Sequence, residues 1–335
     1  MIRWGVIGAG NMAKNFAEAI KEVDNAKLVA ISSSNRKNLE TFGDEFKIES
    51  RLRFNKYDSM AKYSEIDAIY ISTLNNTHLD LIKICAINKK NILCEKPFCL
   101  NLVEATEIKN VIEESGVKFF EAIAYLSHPQ TNKIFNLIDD NEIGEINSIE
   151  STFGFKVRKI KPESRLFNKK LGGGAILDVG CYPLSFIYLF NKEKNEIEFK
   201  HIEGKICKTG VDIEASANLT INKKINCKIK VSFQENFENS SIIYGSKGHM
   251  IVNQPWLPGN KTYLEIFTPT RSFKVFVESD LSIYANQIKN VSNEFLGKND
   301  NTLKLFNIYK SFENMWYLDS WIRNIDYKDN NLHEK

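Results

Sequence analysis

Excess charge is nearly absent from this chain of 335 residues, in which 45 lysines and arginines face 42 aspartates and glutamates, for a net charge of +3. Nucleic-acid-binding proteins usually carry a larger, clustered basic surplus, so we expect no nucleic-acid partner. No apolar run reaches the roughly 20 residues that cross a bilayer, which predicts no membrane partner. Hydrophobic residues make up 43% of the chain, and this fraction and the length favour two domains with a large core.

Cysteine and histidine are also scarce. The six cysteines form no Cys-x-x-Cys pair and are too few to staple a chain of this length. We therefore expect reduced thiols in a cytoplasmic protein. The five histidines show no His-Glu-x-x-His spacing, so we expect no catalytic metal.

Short apolar runs alternate with amphipathic helical stretches up to about residue 122. The runs lie at 2–7, 28–31, 68–72, 92–94 and 117–120. A helical stripe follows the first of them, with apolar residues spaced i, i+3, i+4 and i+7 from Ala13. This alternation is typical of a doubly wound parallel sheet, so residues 1–122 are predicted to form an α/β domain of the Rossmann type.

The pattern changes in the second part of the chain. Segments 148–157, 211–221 and 225–233 alternate apolar and polar residues, which indicates strands with one buried face. Helices are predicted near 175–190 and 302–321. Residues 123–335 are therefore predicted to form an α+β domain with a mostly antiparallel open sheet. Its polar face would carry eight side chains, namely Glu150, Lys156, Arg158, Asp212, Glu214, Asn218, Lys228 and Lys230.

A glycine-rich turn follows the first strand. Residues 8–13 read Gly-x-Gly-x-x-Ala, with Asn11 and Met12 opening the next helix. Gly8 permits a tight turn, Gly10 lets the backbone approach a pyrophosphate, and the helix N-terminus offers N–H groups. We predict that Gly8, Gly10, Asn11 and Met12 bind a dinucleotide cofactor.

The end of the second predicted strand lacks the acid that usually accompanies NAD preference. Ser33, Ser34 and Arg36 stand there instead, and their hydroxyls and guanidinium could bind a 2′-phosphate. This favours NADP over NAD as the cofactor. The alternative is that Arg36 only solvates a helix start.

Glu95-Lys96-Pro97 ends another predicted strand, at the edge where ligands bind in such sheets. With the glycine turn, the Thr-x-Asn-x-x-His segment at 73–78, Glu121-Ala122, the segment 128–130 and the segment 172–183, the chain resembles the glucose–fructose oxidoreductase / inositol dehydrogenase (Gfo/Idh/MocA) family of NAD(P)-dependent oxidoreductases. Tyr182 stands where many members have histidine, which resembles the subgroup of dimeric dihydrodiol dehydrogenase and xylose dehydrogenase. Leu74 and Leu126 depart from the usual proline and arginine.

The resemblance implies further site residues. It implies that the cofactor is contacted by Thr73, Asn75, His78, Glu95, Lys96 and Arg165. Asp178 and Tyr182 are four residues apart and would share one face of a helix. Tyr182 is predicted to be the general acid or base, with the Lys96 ammonium lowering its pKa and Asp178 orienting the substrate hydroxyl or Lys96.

The predicted function is hydride transfer between a nicotinamide and a sugar, polyol or related hydroxy or carbonyl compound. Two alternatives from the same resemblance are an NAD-dependent glycosidase and a non-catalytic NAD(P)-sensing regulator. We also expect a homodimer or higher homo-oligomer, because relatives commonly pair through the exposed face of the second sheet.

Overall fold

A computed structural model describes residues 1–191, 197–298 and 304–327. These residues divide into two compact units. The first unit contains Met1–Asn132 and Ser279–Glu313, and the second contains Lys133–Glu278 and the described residues from Asn314 onward.

The described residues contain fifteen strands and nine helices. The strands are β1 (Ile2–Ile7), β2 (Ala26–Ser32), β3 (Arg53–Phe54), β4 (Ala68–Ile71), β5 (Asn91–Glu95), β6 (Phe119–Ala122), β7 (Ile146–Gly154), β8 (Ile197–Ile206), β9 (Asp212–Ile221), β10 (Ile225–Ser232), β11 (Ser241–Gly245), β12 (Gly248–Val252), β13 (Lys261–Phe267), β14 (Ser272–Glu278) and β15 (Asp326–Tyr327). The helices are α1 (Asn11–Ala19), α2 (Arg36–Glu45), α3 (Tyr57–Ala61), α4 (His78–Ile87), α5 (Leu102–Ser115), α6 (Pro129–Asp139), α7 (Cys181–Tyr188), α8 (Ile283–Phe295) and α9 (Ile308–Arg323).

The sheet of the first unit has the strand order β3-β2-β1-β4-β5-β6, and all its pairs are parallel. In the register, Ile7 pairs with Ser32 on one side and with Ile71 on the other. The carboxyl ends of β1, β2 and β4 therefore lie at one edge, where ligands bind in open sheets of this kind. The prediction of a doubly wound parallel sheet is confirmed.

The segment Ser279–Glu313 belongs to the first unit, whereas the sequence suggested that everything after residue 122 joins the second domain. Hydrogen bonds explain this placement. Trp4 Nε1 donates to Ser292 Oγ at 3.1 Å, and the Asn25 side chain donates to the Lys289 carbonyl oxygen at 2.8 Å. Trp4 is fully buried, so α8 covers apolar surface of the first unit as well as pairing with its polar groups.

The sheet of the second unit has the order β14-β13-β12-β11-β7-β10-β9-β8-β15. Its pairs are antiparallel except for β7 with β10 and β8 with β15, so the predicted mostly antiparallel sheet is confirmed. Alternation along β10 buries Cys227, Ile229 and Val231 on one face and leaves Lys228 exposed on the other.

Three details of the second domain differ from the sequence-based expectation. Asp212 is buried instead of lying on the polar face, because its carboxyl accepts main-chain N–H groups. The helix expected at 175–190 begins as a π-helical turn, Ile176–Gly180, before α7. The final helix begins at Ile308 and not near 302; residues 302 and 303 lie outside the described residues.

One segment within the described ranges, Lys169–Tyr188, is long and apolar enough to cross a membrane by length and composition. The expectation that no stretch reaches this length therefore needs correction. However, 78% of its apolar window is buried inside the protein. Core helices of folded proteins have the same composition, so the segment is weak evidence for a membrane span.

Candidate active site

The turn after β1 has the geometry that its glycines predict. Gly8 has φ of +100°, a region that L side chains rarely adopt, and a Cβ added there would lie 3.0 Å from the Ser72 carbonyl oxygen. The Gly8 N–H donates to the Ser32 carbonyl oxygen at 2.9 Å. Gly8 therefore lets the chain turn tightly from β1 into α1, close to the ends of the neighbouring strands β2 and β4.

Gly10 serves a different purpose in the same turn. A Cβ at Gly10 would meet nothing within 4 Å, so the space over this residue is open. The Lys14 N–H makes a helical bond to the Gly10 carbonyl oxygen at 3.1 Å, and the N–H groups of Asn11, Met12 and Ala13 precede it at the start of α1. Such N–H groups have no acceptor inside the helix, and with the open space they fit a pyrophosphate.

The end of β2 offers hydroxyls and a guanidinium. Ser33 is buried and its Oγ accepts the Asn35 N–H at 3.3 Å, while Ser34 and Arg36 are exposed. Asn35 caps α2 by accepting the Asn38 N–H, so Arg36 is the first residue of that helix. The first turn of α2 contains no acidic residue, which leaves this end free of charge that would repel a phosphate.

His78 connects two of the loops at the carboxyl edge of the first sheet. Its Nδ1 lies 3.1 Å from the Pro97 carbonyl oxygen, and its Nε2 lies 3.3 Å from the Thr73 carbonyl oxygen. The ring is fully buried, and burial lowers the pKa of His78 to about 4. This placement indicates that His78 lies between the loops after β4 and β5 as a neutral ring, which has one N–H and can donate to only one of the two carbonyl oxygens.

The other residues of the β4 loop are more accessible. Thr73 and Asn75 are half-buried, and Asn75 begins a short 3₁₀ turn that ends at Thr77. The hydroxyls of Thr73 and Thr77 lie 2.7 Å apart. The loop is therefore held by its own side chains and by His78.

The Glu95-Lys96-Pro97 segment begins at the last residue of β5, at the same edge. Glu95 is buried and accepts a short hydrogen bond from the Tyr70 hydroxyl, and the Tyr70 ring stacks on Phe16 of α1 at 4.3 Å. Lys96 is half-buried, and the Lys96–Pro97 peptide bond is cis. Glu95 is thus tied into the core beneath the glycine turn, while Lys96 keeps partial access to solvent.

In the second unit, Asp178 lies in the π-helical turn before α7. Its Oδ1 accepts a hydrogen bond from Arg165 Nη1 at 2.7 Å. The Asp178 side chain is only 8% exposed, whereas that of Arg165 is 52% exposed. The structure therefore shows that Arg165 contacts Asp178. Its contact with the cofactor stays a prediction. π-helical turns are rare and often occur at functional sites.

Tyr182 is the second residue of α7 and belongs to an aromatic cluster with Phe153 and Trp256. Its ring meets Phe153 edge-on at 5.2 Å and lies 6.1 Å from Trp256. Trp256 is buried, and its Nε1 donates to the Thr152 carbonyl oxygen at 2.9 Å. Tyr182 itself is half-buried. The cluster fixes the ring of Tyr182 beside an apolar wall.

Asp212 is the residue whose position differs most from the prediction, because it is buried and not on the polar face of the sheet. Its Oδ2 accepts the Ile176 N–H at 2.7 Å, and Gly174, with φ of +125°, lies so close that a Cβ there would overlap Oδ1. Burial raises the pKa of Asp212 to about 6, and N–H groups of Ile176 and Ala175 oppose this shift. Asp212 thus caps the turn that carries Asp178, across 36 residues of sequence. The alternating pattern contains no signal for it.

The predicted residues therefore form two groups. Gly8, Gly10, Asn11, Met12, Ser33, Ser34, Arg36, Thr73, Asn75, His78, Glu95 and Lys96 lie in the first unit, and Arg165, Asp178 and Tyr182 lie in the second. A direct approach of Lys96 to Tyr182 stays a prediction. In the described residues, no group of three or more His, Cys, Asp or Glu side chains could hold a metal ion.

The chain matches two known protein-domain families. Residues 2–123 match the oxidoreductase family with the NAD-binding Rossmann fold, and residues 131–251 match the GFO/IDH/MocA C-terminal domain. These two matches cover more than half of the chain. The chain therefore belongs to the Gfo/Idh/MocA family and is an NAD(P)-dependent oxidoreductase, so the predicted family and enzyme class are confirmed.

Its similarity to particular proteins extends over most of its length. The chain is 30% identical over 260 residues to trans-1,2-dihydrobenzene-1,2-diol dehydrogenase of Xenopus tropicalis, covering 76% of this chain and 77% of that protein. It is 26% identical over 289 residues to D-xylose 1-dehydrogenase (NADP(+)) 2 of Haloferax volcanii, covering 82% and 87%.

Solved structures share the fold. A 3-ketoreductase from Actinomadura kijaniata, in complex with NADP and TDP-benzene, superposes with a TM-score of 0.84 at 22% identity, covering 95% of this chain and 96% of the other. Aldose-aldose oxidoreductase from Caulobacter crescentus, complexed with glycerol, gives a TM-score of 0.87 at 16% identity and covers 96% of each chain.

Proposed function

We propose that the protein is an NADP-preferring dehydrogenase or reductase of a sugar, polyol or cyclic diol, with Tyr182 as acid or base and Lys96 assisting. The observation that carries the cofactor assignment is the open space over Gly10 at the start of α1, in a turn that Gly8 permits. A side chain at either position would obstruct the turn or fill the space a pyrophosphate needs.

The preference for NADP rests on the end of β2. Ser34 and Arg36 are exposed at the start of α2, and residues 32–36 contain no carboxylate that would repel a 2′-phosphate. The relative from Haloferax volcanii is named for NADP, which supports the same preference. A guanidinium binds phosphate oxygens through several N–H groups.

Tyr182 would donate a proton to the substrate oxygen during reduction and accept it during oxidation. A bound nicotinamide would supply hydride transfer. A tyrosine hydroxyl has a free pKa near 10, so a cation is needed to stabilise its ionised form, and Lys96 is the proposed cation. Asp178, held by Arg165 at 2.7 Å, would accept a hydrogen bond from a second substrate hydroxyl.

The aromatic cluster supports a ring-shaped substrate. Phe153 and Trp256 flank Tyr182, so a substrate oxygen near the Tyr182 hydroxyl would meet an apolar wall as well as polar groups. Sugars carry hydroxyls around the ring edge and C–H groups on the ring faces, and cyclic diols also combine hydroxyls with apolar ring surface, which matches such a wall. The curated relatives named for dihydrobenzenediol and xylose act on compounds of this kind.

The test has two stages. Titrations with NADPH and with NADH, read by the fluorescence of the reduced nicotinamide, come first; absence of binding would overturn the proposal. A panel of aldoses, polyols and cyclic diols is then screened by nicotinamide absorbance. Tyr182→Phe is expected to lower kcat by about 10²- to 10⁴-fold with NADP affinity unchanged, as for loss of a general acid or base.

A matched control is Tyr188→Phe, which makes the same change on the same helix, α7. It is expected to keep kcat near that of the parent protein. Lys96→Ala is expected to lower kcat as well. If Tyr182→Phe and Tyr188→Phe behave alike, the role assigned to Tyr182 is wrong.

A further inference from the structure

Glu121 is a buried acid at the carboxyl edge of the first sheet that the proposed chemistry does not yet use. It lies near the end of β6 and is 4% exposed. Its Oε1 accepts the Phe98 N–H at 3.2 Å, and its own N–H donates to the Phe306 carbonyl oxygen at 2.9 Å. Phe98 directly follows the Lys96–Pro97 pair, so the carboxyl holds the loop that carries Lys96.

Charged groups lie around the Glu121 carboxyl, and one of its two oxygens lacks a hydrogen-bond partner among the described residues. The pKa of Glu121 is raised to about 7, chiefly by burial and in part by neighbouring Glu95, while the Phe98 N–H, Ser311 and the Lys96 ammonium oppose the shift. The Cys94 thiol of β5 faces the same region. Within the described residues, Oε2 has no hydrogen-bond partner at bonding distance.

A carboxylate that only accepts a main-chain hydrogen bond does not need to be buried among charged groups. Glu104 also accepts a main-chain N–H in the loop after β5, from Leu100 at 2.9 Å, but it is only half-buried. Buried carboxyls with one unpaired oxygen are costly, and they concentrate at sites where protonation matters. Glu121 therefore differs from Glu104 in burial and in its electrostatic contact with Lys96.

We propose that Glu121 is a positioning residue for Lys96: it fixes the Lys96–Phe98 loop through the Phe98 N–H, and its charge sets the field that Lys96 presents to the reacting oxygen. This inference rests on the proposed function of Lys96. With Glu121 neutral, Glu121 does not offset the positive charge of Lys96. With Glu121 ionised, part of that charge is offset, so turnover depends on the protonation state of a residue that touches neither substrate nor cofactor.

The experiment compares Glu121→Gln with the parent enzyme at saturating substrate and NADP from pH 6 to pH 8. Gln keeps an acceptor for the Phe98 N–H but cannot ionise, so it imitates the protonated acid. We expect similar kcat values at pH 6 and a kcat about fivefold higher for the variant at pH 8, the size of a partly screened unit charge. KM for NADP should stay unchanged.

Glu104→Gln is the matched control, and its kcat ratio to the parent should be flat across this pH range. Glu121→Ala removes the acceptor, so kcat should fall at every pH, and Glu121→Gln should restore it. The proposal is overturned if the kcat of Glu121→Gln divided by the kcat of the parent does not rise with pH. Full activity of Glu121→Ala also overturns it.

Thermal unfolding provides a readout that does not depend on activity. The folded-state pKa of Glu121 lies above its usual value, so its proton stabilises the fold below about pH 4.5, and this stabilisation is lost as the pH rises through 7. The Tm of Glu121→Gln relative to the parent should therefore rise between pH 5 and pH 8, and a constant difference overturns the proposed ionisation.

The Lys96→Ala variant separates failure of the proposed function from failure of this inference. If Lys96→Ala retains full turnover, the proposed function fails. If it loses turnover while the kcat ratio of Glu121→Gln to the parent stays flat with pH, only the role of Glu121 fails.

Discussion

The two units each contain a buried acid that accepts a main-chain N–H, but these acids support different kinds of segment. Glu121 in the first unit holds a loop that follows a parallel strand, and Asp212 in the second caps a helical turn. In the first unit, the site residues come from loops that the parallel sheet gathers at one edge. In the second unit, Asp178 and Tyr182 depend on partners far away in sequence, such as Asp212 and Trp256.

This contrast predicts where a small change should damage ligand binding and where it should damage the fold. The first unit leaves open space where a ligand must approach, as at Gly10. The second fills the space around its helical turn, as at Gly174. Four predictions, in order of decreasing effect, test the contrast.

The same substitution at two glycines should separate the units most clearly. Gly174→Ala places a Cβ against Asp212 Oδ1 at a φ of +125°. We expect a loss of about 3 kcal/mol in the free energy of unfolding, measured with denaturant. Gly10→Ala meets open space, so it should change stability by less than about 0.5 kcal/mol while weakening NADP binding about tenfold or more. Equal stability losses would remove the contrast.

Asp212→Asn should change how stability depends on pH. The folded-state pKa of about 6 lies above the ordinary value of 3.8, so the proton stabilises the fold below about pH 4 and this contribution is lost as the pH rises through 6. A gap of about two pKa units corresponds to about 3 kcal/mol at most, and the new amide offsets part of it. Relative to the parent, we expect the Tm of the variant to be higher at pH 8 than at pH 4.

Asn218, an exposed residue of the same strand, provides the reverse control. Asn218→Asp adds a carboxylate at an exposed position of β9, where ionisation is not penalised by burial. It should leave the pH dependence of Tm close to that of the parent. A matching shift in both variants would argue against a special role for the buried site.

Arg36→Ala tests the ribose end of the first unit. Loss of one guanidinium contact with a 2′-phosphate should raise KM for NADP about tenfold, or about 1.4 kcal/mol, with little change for NAD. Lys37→Ala, at the next exposed position of α2, is the control. If Arg36→Ala affects NAD and NADP equally, Arg36 only solvates the helix start.

Leu74→Pro should have the smallest effect. Leu74 has φ of −71° and ψ of 144°, and it is 45% exposed, so proline fits its backbone without loss of core packing. Stability should rise by about 0.5 kcal/mol because the unfolded chain loses freedom. A fall in Tm would show that the loop after β4 needs the freedom or the N–H of a residue other than proline.

Much of the first unit could be predicted because its signals are local. The glycine turn, the Ser33–Arg36 region and the Glu95–Pro97 segment each follow a strand within a few residues, and parallel pairing then brings their ends to one edge. The motif pointed to a cofactor contact for His78, and no local pattern reveals its burial between two carbonyl oxygens.

Local patterns were enough to predict the two fold classes and the family, because periodicity and short motifs depend on neighbouring residues. The catalytic side chains that the same motifs suggest stay a prediction. Three-dimensional packing was needed to show that Ser279–Glu313 belongs with the first unit, that Asp212 is buried under the Asp178 turn, and that Glu121 holds the Lys96 loop. Burial and hydrogen bonding across long sequence separations depend on which surfaces meet in the folded chain. Alternation in a single strand, such as β9, cannot report them.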